Sequence, residues 1–169
     1  MKKYPLSMIV FHTLIAVFMI GALLIGWNLE ENRDLMMLHK SFGVAVLLLA
    51  VVRIINRFRV AKSVPESVNP KGLKRIVEKS VHGLLYVVML GIPLCGWLLS
   101  NASGYPASFF GLFSLPTLMA KNPDMAHTLG EFHELGANVF FMLLILHILG
   151  GVVHLVKEKQ NVFKRMSPF

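Results

Sequence analysis

Apolar residues along this chain gather into four long runs, separated by connections that are charged, turn-rich or mixed. The runs are "LSMIVFHTLIAVFMIGALLIGW" (6–27), "HKSFGVAVLLLAVVRIINRF" (39–58), "VHGLLYVVMLGIPLCGWLLS" (81–100) and a last stretch over 132–156. Each supplies the ~20 residues that a helix needs to cross the hydrocarbon core of a bilayer. The pattern predicts an all-α fold, a four-helix transmembrane bundle forming one domain over residues 1–169. No internal repeat, heptad seam or low-complexity tract divides it.

The connections differ in character. "NLEENRDLMM" (28–37) carries Glu30, Glu31 and Asp34 and reads as a tight turn. The segment from about 59 to 79 is basic, contains Pro65 and Pro70, and is expected to run partly extended into a short amphipathic entry to the third helix. The connection 101–131 is too apolar for a solvated loop, with "FFGLFSLP" at its centre, and is expected to lie on the membrane surface as an interfacial segment or lid.

Composition agrees with the pattern. The chain has 169 residues, 55% of them hydrophobic, and a mean hydropathy of +0.63, outside the range of soluble domains. The first run follows "MKKY" but is too long for a signal-peptide core, and no A-x-A-like site follows it, so it is read as a span.

Charge then orients the bundle. All but three of the 17 basic residues fall in the N-terminal segment, the 53–79 region or the tail; Arg33, Lys40 and Lys121 are the exceptions. Basic segments stay on the cytoplasmic side, so both termini are expected there. The formal net charge of +8 is thus explained by topology. No aromatic or groove-reading element accompanies it, which excludes a nucleic-acid reading. Cys95, the only cysteine, leaves neither an intrachain disulfide nor a C-x-x-C-H haem attachment.

Seven histidines carry the chemistry, and only His127 lies clearly outside the spans. His133 and His147 are separated by nearly four helical turns, hence project from one face about 21 Å apart along the axis. In the expected topology, His39 opens the second helix at the depth of His133. His12 lies in the first helix at the depth of His147. Two imidazoles on facing helices are what a six-coordinate b-type haem needs, so the two depth-matched pairs imply two non-covalent haems b. Gly43, Gly136, Gly150 and Gly151 stand three or four positions after these histidines, where an absent side chain admits a macrocycle; ordinary small-residue helix packing is the alternative.

Three further residues border the inner pair. Arg53, 14 positions after His39 on the same face, points toward the inner haem as a propionate partner, or else snorkels to lipid. His154 shares the face of His147 but sits about 31 Å from His133, at headgroup depth rather than at the depth of His12. His82 and His154 are therefore read as possible propionate or quinone contacts near the inner boundary.

These residues resemble the bacterial cytochrome b561 family, which also includes the cytochrome b subunits of membrane hydrogenases and formate dehydrogenases. The resemblance covers essentially the whole chain. It rests on "VFHTL", on "MLHKSFG" followed by "VVRIINR", on "HGLLYVVMLGIPLCG", on "FHELGAN" with "LH" 14 residues beyond its histidine, and on the tail "KQNVFKRMSP". It implies iron ligation by His12 with His147 and by His39 with His133, a non-ligand role for His82, and residence in the bacterial inner membrane. Where many relatives carry tryptophan after the first histidine and before the first histidine of the fourth helix, this chain has Thr13 and Phe132, changes that bear on quinone or partner contacts.

Stand-alone members resemble superoxide oxidases, which pass an electron from external superoxide to membrane ubiquinone. That implies an oxidoreductase with Lys40, beside His39 and near Arg33 and Lys121, as the candidate anion approach. Six external acids (Glu30, Glu31, Asp34, Asp124, Glu131 and Glu134) outnumber those three bases, so any attraction is local. The alternative is a dihaem carrier between the quinone pool and another redox protein. A metal transporter would usually want buried carboxylates inside the spans and discontinuous helices, and the buried acids are missing.

Overall fold

A computed structural model describes residues 2–67, 71–157 and 159–167; Pro70 and the Arg33 side chain, named above, lie outside what is described. Four helices form the chain: α1 (Leu6–Trp27), α2 (Met36–Arg59), α3 (Leu73–Ala102) and α4 (Pro123–Val156). All four are long and apolar enough to cross a membrane. A two-stranded hairpin, β1 (Ser108–Phe109) with β2 (Phe113–Ser114), stands between α3 and α4, and one-turn 3-10 segments occupy Arg33–Leu35, Ala61–Ser63 and Val162–Met166.

The first run and α1 coincide, and α2 matches the second run to within three residues. The other two helices begin earlier than the apolar runs. The amphipathic stretch from Leu73 onward is continuous with α3, which starts after Gly72, a residue held at φ +93°. Helix α4 starts at Pro123 rather than near 132, because "NPD" is a helix start. Asn122 Oδ1 accepts from the Met125 N–H at 3.0 Å, Pro123 occupies the first turn where its missing N–H costs nothing, and Asp124 faces the positive end of the helix dipole. Residues 123–131 are therefore helix, and the interfacial connection shrinks to about 103–122.

Helix α1 packs on α2, α2 on α3 and α3 on α4. Side chains bring α1 to α4: Trp27 meets Phe141 edge to face at 5.2 Å. The buried core takes Ile15, Met19 and Leu23 from α1, Val46 and Ala50 from α2, Met89 from α3 and Phe140 from α4. In lipid such contacts stabilise through close packing rather than through removal of surface from water. Phe140 lies midway between the two histidines of α4, so this core fills the middle of the bundle and leaves a histidine pair above and below it.

Each end is tied by polar contacts. At the basic end, buried Arg165 joins three segments: its Nη2 donates to the Glu66 carbonyl at 2.7 Å, its Nε to the Lys2 carbonyl at 3.3 Å, and its guanidinium lies 5.5 Å from the Tyr4 ring centre. At the opposite end, Asn122 N–H donates to the Ala102 carbonyl at 2.9 Å and Trp97 Nε1 to the Pro116 carbonyl at 3.0 Å. The hairpin folds onto α2 there, the Phe110 N–H donating to Ser41 Oγ at 2.8 Å. Below, the hairpin end is called outer and the basic end inner.

Candidate cofactor site

Helices α2 and α4 deliver the outer pair. The rings of His39 and His133 stand 5.9 Å apart, centre to centre, with planes at 82°. A metal held between two imidazoles by bonds of about 2.0 Å each, plus the inner half of each ring, requires a separation of about 6 Å. His39 Nδ1 lies 2.9 Å from the Ala22 carbonyl and His133 Nδ1 3.1 Å from the Ile92 carbonyl. A carbonyl only accepts, so Nδ1 carries the proton in both rings and each Nε2 keeps its lone pair, the tautomer a ligating histidine needs.

Between and beside these rings is a largely apolar cavity of about 420 Å³, lined among others by Gly43, Val44, Leu47, Pro93, Gly96 and Trp97. Tyr105, Ala107 and Leu115 from the α3–α4 connection also line it, so that connection closes one side of the cavity. Lys40 lines the same cavity and is half-buried. Its Nζ donates to Ser100 Oγ at 2.8 Å and to the Pro106 carbonyl at 3.4 Å, and lies 5.4 Å from the Tyr105 ring centre. Lys121 is placed elsewhere, its stem against Gly104.

The inner pair is His12 on α1 and His147 on α4, with ring centres 6.2 Å apart and planes at 45°. His82 on α3 joins them: its ring stands 5.0 Å from that of His147, edge to face, and its Nδ1 donates to the Glu78 carbonyl at 2.7 Å. Sequence spacing groups His82 with His154 at the boundary; the fold brings it to His147. Arg53 lies over Tyr86, 5.6 Å from the ring centre, with Nε 3.5 Å from the phenol oxygen. His154 sits in the last turn of α4, where its carbonyl accepts from the Gln160 N–H at 2.9 Å. His127 is exposed, 3.9 Å from the Glu131 carboxylate.

The glycines divide. Gly43 has open space beside it and lines the outer cavity, and Gly150 is also open. A Cβ on Gly136 would meet Ile92 at 3.0 Å, and one on Gly151 would meet Phe163 at 2.7 Å. Those two serve helix and tail packing, not a macrocycle. Gly26 and Gly96 escape sequence reasoning. A Cβ on either would crowd a histidine ring, at 3.2 Å for Gly26 and His39 and at 3.0 Å for Gly96 and His133. Neither neighbours a histidine in sequence, so no local signal marks them.

A haem fits this donor set. Among the described residues no group of three or more His, Cys, Asp or Glu side chains converges as a protein-only metal cage would require. Opposed imidazole pairs, by contrast, suit an iron whose other four ligands come from a porphyrin, and the apolar cavity beside His39 and His133 suits the ring itself.

Four spanning helices with imidazoles paired across the bundle define a membrane-bound b-type cytochrome. The family description "Prokaryotic cytochrome b561" matches residues 3–169. The chain belongs to that family and is a haem b electron-transfer protein of the bacterial membrane, with multiple spans. It is 30% identical to a protein of Yersinia pestis named probable superoxide oxidase CybB, over 99% of this chain and 97% of the relative. Two proteins of Escherichia coli (strain K12) are similar too: cytochrome b561 homolog 2, 27% identical over 98% of this chain and 91% of the relative, and cytochrome b561 homolog 1, 27% identical over 85% and 82%.

Proposed function

We propose that this protein is a dihaem superoxide:ubiquinone oxidoreductase of the inner membrane, with both termini cytoplasmic and electrons entering at the outer end. The observation that carries the reading is the presence of two opposed histidine pairs on either side of an apolar core, His39 with His133 and His12 with His147. Each pair would hold the iron of one haem b. When bound, the haems supply one-electron redox chemistry.

The chain's own residues divide the remaining work. The lid and the apolar lining restrict water at the outer cavity. Lys40 offers a positive charge at its wall, where an anion arriving from outside meets His39 and His133. At the inner end, Arg53 and His82 border the His12 and His147 pair, Arg53 as a carboxylate partner for a propionate and His82 with His154 as proton-bearing groups for a bound quinone. In the overall reaction two superoxide anions each lose one electron and leave as dioxygen, and ubiquinone gains those two electrons and two protons to become the quinol. The similarity to the protein named probable superoxide oxidase supports superoxide as the donor.

Pyridine haemochrome quantitation of the purified protein is expected to give two haems b per chain. Stopped-flow mixing with superoxide is expected to reduce them far faster than free haem reacts, with quinol accumulating when ubiquinone is present. Reduction no faster than the free-haem control assigns the protein instead to electron transfer with another redox partner.

A further inference from the structure

The two outer histidines are seated by matching devices on helices to which they do not belong. His39, on α2, puts Nδ1 against the Ala22 carbonyl of α1 at 2.9 Å. One turn further along α1 is Gly26, whose missing Cβ leaves the room that His39 Cε1 uses. His133, on α4, puts Nδ1 against the Ile92 carbonyl of α3 at 3.1 Å. One turn further along α3 is Gly96, whose missing Cβ leaves the room for His133 Cε1. A carbonyl and the glycine four residues later recur in both cases.

Helix geometry explains the spacing. The carbonyl of residue i already accepts the N–H of residue i+4, so a second donor reaching its free lone pair comes close to residue i+4. A broad imidazole ring making that approach is crowded by a Cβ there, as at Gly26 and Gly96. Contacts of 3.2 and 3.0 Å to a rigid ring edge leave little slack, because both rings are also fixed by their own helices. Among the described residues, neither His12 nor His147 has a hydrogen bond of this kind, and their planes meet at 45° where the outer planes meet at 82°.

We propose that Ala22 with Gly26 and Ile92 with Gly96 form twin backbone sockets that hold the two outer histidines as Nδ1–H tautomers with nearly perpendicular ring planes, making Gly26 and Gly96 positioning residues for the outer haem. The proposal rests on His39 and His133 being its axial ligands. Two properties of that site follow. Donation from Nδ1 to a carbonyl makes each imidazole a stronger ligand base, which favours the oxidised iron and lowers the potential. Perpendicular planes direct the two imidazole π systems at different iron d orbitals, which brings those orbitals close in energy. The ferric low-spin electron paramagnetic resonance signal is then strongly anisotropic, with a large maximum g value, whereas rings meeting at 45° give a more rhombic signal.

The test uses the intact haem-loaded protein in detergent. The unsubstituted protein is expected to show one strongly anisotropic and one more rhombic low-spin signal. Gly96→Ala and Gly26→Ala are expected to keep two haems per chain, to move the anisotropic signal toward the rhombic one and to raise the midpoint potential of that haem, with the other haem unchanged. Absence of the anisotropic signal in the unsubstituted protein overturns the proposal even if neither variant folds. So do variants that keep both haems with signal and potential unmoved. His39→Ala separates this from the ligand assignment: loss of one haem supports the ligand reading independently of the glycine results, and retention of both overturns that reading and the sockets with it.

Discussion

The imidazole of His82 stands 5.0 Å from that of His147 and perpendicular to it, nearer than the His12 ring at 6.2 Å. His147 therefore has an imidazole neighbour on each of two helices, and haem content decides which of the three histidines bind iron. The 6.2 Å pair leaves the space for a metal, and the 5.0 Å pair is too close for one bonded to both rings. His12→Ala is expected to lower the haem content from two per chain to one, and His82→Ala to leave two. The reverse pattern in a pyridine haemochrome assay refutes the assignment of His12.

Lys40 tests the electron entry side. Its ammonium lines the cavity beside His39 and His133 and is held by Ser100 and Pro106. Removing one positive charge within about 10 Å of an approaching anion weakens the attraction by roughly 1–2 kcal/mol in a partly solvated site. Lys40→Met is expected to slow superoxide-driven haem reduction about tenfold, with haem content and dithionite reduction unchanged, and Lys40→Arg to retain most of the rate. An unaltered rate in Lys40→Met places the superoxide approach elsewhere.

The cap of α4 is a local feature with a measurable cost. Asn122 Oδ1 accepts from the Met125 N–H at 3.0 Å, and the Asn122 N–H donates to the Ala102 carbonyl. Only the side-chain bond is lost in Asn122→Ala, which is expected to destabilise the protein by about 1 kcal/mol in denaturant unfolding from detergent. Asn122→Asp is expected to restore the loss. Equal stability of all three chains shows that this end of α4 is held by the lid alone.

Much of the fold is legible in the sequence because lipid imposes a simple code. A run of apolar residues has one folded form in a bilayer, which is why the bounds of α1 coincide with its run. Whole-turn spacing by itself likewise puts His133 and His147 on one face. What stays hidden is set by contacts between distant segments. Helix α4 runs nine residues past its apolar stretch because capping, not hydropathy, fixes its start. Spacing leaves Gly136 open to a macrocycle or to helix packing, and the fold sets Ile92 against it, since a helical glycine opens toward whichever neighbour arrives. The Gly26 and Gly96 contacts involve residues 13 and 37 positions from the rings they admit, beyond any local pattern.

Arg165 gives the clearest stability prediction. It is 8% exposed, and its guanidinium reaches the carbonyls of Lys2 and Glu66 while its own carbonyl accepts from the Tyr4 N–H at 3.0 Å. One side chain thus fastens the tail to the N-terminal segment and to the α2–α3 connection. Hydrogen bonds from a charged group contribute roughly 1.5–3 kcal/mol each when the partner is left buried without them. Arg165→Ala is expected to cost about 2–3 kcal/mol and to lower the melting temperature of the protein in detergent. Arg165→Lys is expected to recover less than half of that loss, because a single ammonium on a flexible stem does not reproduce a planar fork reaching two carbonyls. The tail also places Phe163 against Gly151, one turn beyond His147, so its release is expected to make the inner haem dissociate before the outer one on heating. Loss of both haems in a single step in Arg165→Ala refutes that coupling between the tail and the inner site.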